Sequence, residues 1–179
     1  MKTKIIILLC SIFICITNLN AQKGYADKIN QYNSKGQKEG LWKENTGQNW
    51  RTETYYHNGK ENGIFKELSI SRGELITFGE YLNGERVGTW YYFGDYGHLM
   101  SIQKDFSKNT FPTPAIHHVQ EKEPCPYRCY CIGFYPNGNK ESEGILLWDD
   151  SPESDFTFEY GEWKYYNEDG TLKETKVFK

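Results

Sequence analysis

The sequence predicts an all-β fold, a repetitive antiparallel β-meander of about five hairpin units. Three observations carry that expectation. A Gly-x-aromatic anchor recurs at Gly40-Leu41-Trp42, Gly63-Ile64-Phe65, Gly88-Thr89-Trp90 and Gly161-Glu162-Trp163. Turns of one shape precede the first three, and two of them hold an Asn-Gly pair (Asn58-Gly59, Asn83-Gly84) between aromatic runs, a strong hairpin signal because both residues tolerate positive φ. Finally, 16% of the residues are aromatic and 17 are glycine, which suits strands with a largely aromatic core.

Taken in order, residues 1–21 read as a cleaved signal peptide. Lys2 and Lys4 give the positive start, Ile5 to Ile16 the apolar run, and Asn18 to Ala21 a polar exit ending in a small residue. The run is about a dozen residues, short of the roughly 20 that span a bilayer. Cys10 and Cys15 would serve a lipoprotein, but Leu9 and Ile14 precede them where a small residue is wanted. Cleavage after Ala21 implies an exported protein in the periplasm, on the cell surface or secreted. Without Lys2 and Lys4 the balance is 19 basic to 24 acidic residues. That sign gives no global attraction for nucleic acid or an anionic membrane. No later stretch reads as a transmembrane span, and residues 22–179 fit one domain.

The repeats give this domain its framework. The first anchor intervals are 23 and 25 residues, and the last is 73, close to three such periods. A second turn follows each anchor at a fixed spacing, seen in Trp90-x-x-Phe93-x-x-x-Gly97 and Trp163-x-x-Tyr166-x-x-x-Gly170. The same template finds Phe134 and Gly138, and it places Cys131 at the anchor and Cys129 at its glycine. A fourth unit is therefore expected with Cys-Tyr-Cys in place of Gly-x-Trp. The two long anchor intervals mark insertions at about 107–128, which carries four prolines, and at 149–155, an acidic tip. Unit one lacks a clean second turn after Trp42. Period-2 alternation puts Gly88, Trp90 and Tyr92 on one face, with the glycine leaving room for a ring from the next unit. Lys173, Lys176 and Lys179 suit a protected edge on the last strand.

The segments 80–93 (EYLNGERVGTWYYF), 159–172 (EYGEWKYYNEDGTL) and 55–65 (YYHNGKENGIF) resemble the MORN-type repeat in its bacterial variant form. The resemblance covers most of residues 30–179. It implies a non-catalytic binding or scaffolding module, and an antitoxin-like or immunity role neutralising an envelope partner is also attached to such relatives.

Functional residues are sought where the pattern fails. Trp42, Phe65, Trp90 and Trp163 recur in register, so repeat packing explains them first. Trp50 and Trp148 lie off the template and are the better ligand contacts, alongside His117 and His118 in the proline-rich insertion. Cys125, Cys129 and Cys131 are candidates for one disulfide in an oxidising compartment. Cys129 and Cys131 point the same way on one strand, so Cys125 with either of them is the expected pair. The spacing His-His-x6-Cys-x3-Cys-x-Cys matches no standard zinc pattern, and residues 149–155 lack a spaced calcium loop, so neither metal nor cofactor is expected. No nucleophile motif, phosphate loop or zinc-protease motif occurs, so the chain is expected not to be an enzyme. A hydrolase would require an acidic site assembled in space. The expected function is binding of a protein or cell-envelope component, through the sheet face or the 107–130 insertion.

Overall fold

The computed structural model describes residues 29–112, 125–148 and 157–179. The expected signal peptide, His117, His118 and the acidic run at 149–155 lie outside them. The described chain forms one antiparallel sheet of 11 strands in sequential order: β1 (Gln31–Tyr32), β2 (Lys38–Thr46), β3 (Trp50–His57), β4 (Lys60–Ser69), β5 (Leu75–Leu82), β6 (Glu85–Phe93), β7 (Leu99–Lys108), β8 (Tyr127–Phe134), β9 (Lys140–Trp148), β10 (Thr157–Tyr166) and β11 (Leu172–Phe178). The five anchors fall on β2, β4, β6, β8 and β10, each the first strand of a hairpin. The meander of five hairpin units is therefore the observed fold, with β1 as a short added edge.

Both Asn-Gly turns carry positive φ at each residue: Asn58 50° and Gly59 80°, Asn83 54° and Gly84 87°. The turns also hold on to the preceding unit. Gly59 N donates to Lys38 O at 3.0 Å, and Gly84 N donates to Glu61 O at 2.8 Å. Unit one, the poorest match in sequence, has an uninterrupted register from Gly40↔Tyr56 to Thr46↔Trp50. A turn at Gly47, φ 78°, supplies the reversal that the sequence concealed.

The anchor glycines do something other than expected. Gly63, Gly88 and Gly161 lie in irregularities where three residues of one strand face one of its neighbour, and each has positive φ. They are bulge residues. Alternation therefore breaks at Gly88, although Trp90 and Tyr92 still share a face. The rings rest on other glycines. A Cβ on Gly79 would collide with the indole of Trp90, and one on Gly144 with that of Trp163, whereas Gly88 and Gly161 face open space.

The register now assembles one inner row. Trp42, Thr54, Phe65 and Gly79 lie side by side on β2 to β5. Trp90, Gln103, Cys131 and Gly144 repeat the series on β6 to β9, and Trp163 beside Lys176 begins a third. Cys131 thus occupies the place that Phe65 holds in the first series. Trp90 is 1% exposed although this is a single-layer sheet. Its cover comes from the same face: Phe65 stacks at 5.3 Å, Tyr81 meets it edge-on at 4.9 Å, and Arg86 lies over the ring at 4.6 Å. Burying an aromatic ring this fully stabilises by about 2–3 kcal/mol.

Both insertions leave the same end of the sheet without interrupting it. β7 and β8 pair through Lys108↔Tyr127, so the first insertion is narrower than expected, and Thr157↔Trp148 closes the second. Asn109 clamps the first: its N–H donates to Pro126 O, and its Nδ2 donates to the carbonyls of Cys125 and Phe111. Phe111 then lies across the outer face, stacked on Tyr160 of β10 at 4.6 Å, with Arg128 4.9 Å from its ring centre.

Candidate functional site

The two off-template tryptophans separate. Trp50 starts β3 at the far end of the sheet and is 40% exposed. Trp148 ends β9, between the roots of the two insertions, and is buried. Tyr127, its register partner, stacks on it at 4.8 Å, and Phe106 approaches edge-on at 6.3 Å. Arg86 reaches it from β6, three strands away, placing its guanidinium carbon 4.7 Å from the ring centre. The same guanidinium covers Trp90 and donates from one terminal nitrogen to the Tyr92 hydroxyl at 3.0 Å. Tyr92 in turn donates to Gln103 Oε1 at 3.1 Å. One guanidinium thus lies within cation–π distance of two indoles, an arrangement that its flat, weakly hydrated cation suits better than an ammonium would.

This cluster borders a cavity of about 60 Å³ at the Asn83-Gly84 end of the sheet. Its walls are Gly84 to Arg86 from the β5–β6 turn, Phe106 to Lys108 at the end of β7, Tyr127 at the start of β8, and Trp148 at the end of β9. The three framework tryptophans each satisfy their indole N–H on the preceding strand. Trp42 donates to Gln31 O at 3.1 Å, Trp90 to Glu80 O at 3.3 Å and Trp163 to Ile145 O at 2.8 Å. Among the described residues, the buried Trp148 Nε1 has no hydrogen-bond partner. An unmade bond of this kind costs about 1–3 kcal/mol, so a residue chosen for folding alone would not need the nitrogen.

The cysteines do not form the expected disulfide. Cys129 and Cys131, the two expected partners of Cys125, are free thiols. Cys129 and Cys131 point side by side into the inner face, where burial pushes their pKa up to about 12 and about 11. A thiol that stays protonated is a weak nucleophile and a weak metal ligand. Among the described residues no three His, Cys, Asp or Glu side chains gather as a metal site requires. Several carboxylates on this sheet are tied to tyrosines: Tyr56 donates to Glu61, Tyr165 to Glu159 and Tyr166 to Glu143. The hydrogen bond from Tyr166 is the main cause of the lowered pKa of Glu143.

Arg86 is the site residue that sequence reasoning missed. A signal for it exists four residues before the anchor. Lys38 stands there relative to Trp42, with its ammonium 4.5 Å from that ring, as Arg86 stands relative to Trp90. Four residues is an even spacing, so the cation falls on the anchor's own face of the strand.

No protein family, curated protein or solved structure matches this chain. Among the described residues, no helix is long and apolar enough to cross a membrane.

Proposed function

We propose that this chain is an exported, non-catalytic binding module of the MORN-like kind, which holds a protein or cell-envelope component at the Trp148 end of its sheet. One observation carries the reading: both departures from the repeat spring from the rim of the same aromatic and cationic cavity. A volume of about 60 Å³ is well below the roughly 300–1,000 Å³ of small-molecule sites. It fits one anchoring side chain of a larger partner, and the surrounding strand ends and insertions supply the remaining contact area. Buried aromatic and arginine anchors in such positions carry most of the energy of protein interfaces.

The test compares crosslinked complexes captured from envelope extract by the intact chain and by three variants. Lys108→Glu and Tyr127→Ala alter the cavity wall, while Glu162→Lys changes charge away from it. A species captured by the intact chain and by Glu162→Lys, but lost with the first two, supports the reading. Equal capture by all four chains contradicts it. Fractionation and N-terminal sequencing check export, with Gln22 as the expected first residue.

A further inference from the structure

The two edges of the sheet are finished differently. At the first edge, β1 pairs with β2 through Gln31↔Glu39 and Tyr32↔Lys38, and the side chain of Asn30 continues the ladder. Its Oδ1 accepts from Lys43 N at 2.7 Å and its Nδ2 donates to Lys43 O at 3.0 Å, which seals β2 as a further strand residue would. At the last edge, β11 runs seven residues and pairs only with β10; among the described residues no strand covers its other side. Six of the seven are exposed, including Leu172 at 56% and Val177 at 66%.

The sequence of β11, LKETKVF, is complementary to itself when reversed about Thr175. Antiparallel pairing centred there sets Glu174 opposite Lys176, Lys173 opposite Val177, and Leu172 opposite Phe178. Opposite residues of an antiparallel pair lie on the same face with Cβ atoms about 5 Å apart, so both Glu–Lys pairs form and the apolar ends meet. Glu174 and Lys176 already attract within the strand at 3.2 Å, and pairing would join them into a four-charge cluster of alternating sign. Neighbouring registers fail. Centring on Glu174 or on Lys176 sets like charges face to face, and centring between two residues would oppose side chains that point to different faces of the sheet. The lysines therefore do not simply repel other strands. They select one register.

We infer that β11 is the docking edge for a second copy of this chain, giving a two-fold dimer whose sheet runs continuously through the Thr175–Thr175 pair. A two-fold axis here is self-complementary and closed, so assembly stops at two. One strand pair is a small interface compared with stable complexes, so association is weak and depends on concentration.

Sedimentation velocity of the mature chain under reducing conditions, through the micromolar range, tests this. The expected mass rises from one chain to two. Glu174→Lys sets Lys against Lys and weakens association about tenfold, while the reciprocal double variant Glu174→Lys/Lys176→Glu restores it. Both positions are well exposed, and thermal unfolding of each variant confirms that the sheet is intact. Mild copper-phenanthroline oxidation of Thr175→Cys should give a covalent dimer more readily than Leu172→Cys, whose partner is Phe178. A single chain at every concentration overturns the inference. So does a dimer indifferent to Glu174→Lys, a double variant that fails to recover, or faster crosslinking at residue 172.

Discussion

Trp90 and Trp148 hold opposite sides of the Arg86 guanidinium, yet they do different work. Trp90 sits at a repeat anchor, over a glycine with no side chain to displace it, and its N–H is spent on Glu80 O. Every polar and apolar feature of that indole is used by the sheet. Trp148 follows no repeat rule, finds no partner for its N–H among the described residues, and borders a cavity where both insertions begin. The difference separates residues that build the framework from residues the framework presents.

The largest way to break this comparison is to remove the seat under a framework ring. Gly79→Ala drives a Cβ into the Trp90 indole and should cost about 3 kcal/mol or more, as overpacking and lost ring contacts add. Gly144→Ala should do the same beneath Trp163. Gly88→Ala meets open space and pays only for a positive φ, about 1 kcal/mol. Urea unfolding midpoints read the order, and an equal loss at Gly79 and Gly88 would show that the rings do not rest where the structure puts them.

A turn residue comes next. Gly84→Val forces a β-branched residue to φ 87° in the turn that both docks on Glu61 and lines the cavity. A loss of about 1–3 kcal/mol is expected, read by thermal unfolding. Unchanged stability would count against the register of the central hairpin.

The thiols give a smaller, pH-dependent effect. Cys129 and Cys131 have folded pKa values raised to about 12 and about 11, against about 9 for a free thiol. The unfolded chain therefore releases these protons first as pH rises. The contribution to stability is complete below about pH 9 and fades as pH climbs toward 11–12. Tyr92, pushed up to about 12 chiefly by burial, adds in the same direction. Denaturant titrations at pH 8 and pH 10.5 should show the lower stability at the higher pH. Alkylation of the unfolded, unreduced chain should label both Cys129 and Cys131, and in the native chain the two should react slowly at pH 8.

Much of this fold was legible because its signals are local. Aromatic anchors, Asn-Gly turns and the spacing to the second turn each depend on a few adjacent residues, and the same template found Cys131 where no aromatic marks the anchor. Both insertions stood out by proline and acidic content. What escaped depends on strands far apart in sequence. The bulges at Gly63, Gly88 and Gly161 show only when neighbouring strands are counted against each other. Gly79 and Gly144 looked unremarkable, because the ring that needs each one belongs to the next strand. Arg86 meets Trp148 across three strands, and Phe111 on Tyr160 depends on the chain crossing the outer face. The expected disulfide is not seen, since Cys129 and Cys131 carry free thiols. Trp148, singled out only for breaking the pattern, is where the cavity lies.

The division between framework and presented residues is tested most directly by denaturant unfolding of Trp90→Phe beside Trp148→Phe. The first strips the hydrogen bond to Glu80 O and part of a fully packed ring, and should cost about 2 kcal/mol. The second removes an N–H that has no partner among the described residues, and its stability should stay within about 1 kcal/mol of the parent. Equal losses, or a larger loss at Trp148, would mean that both indoles serve the fold alike and would contradict the account.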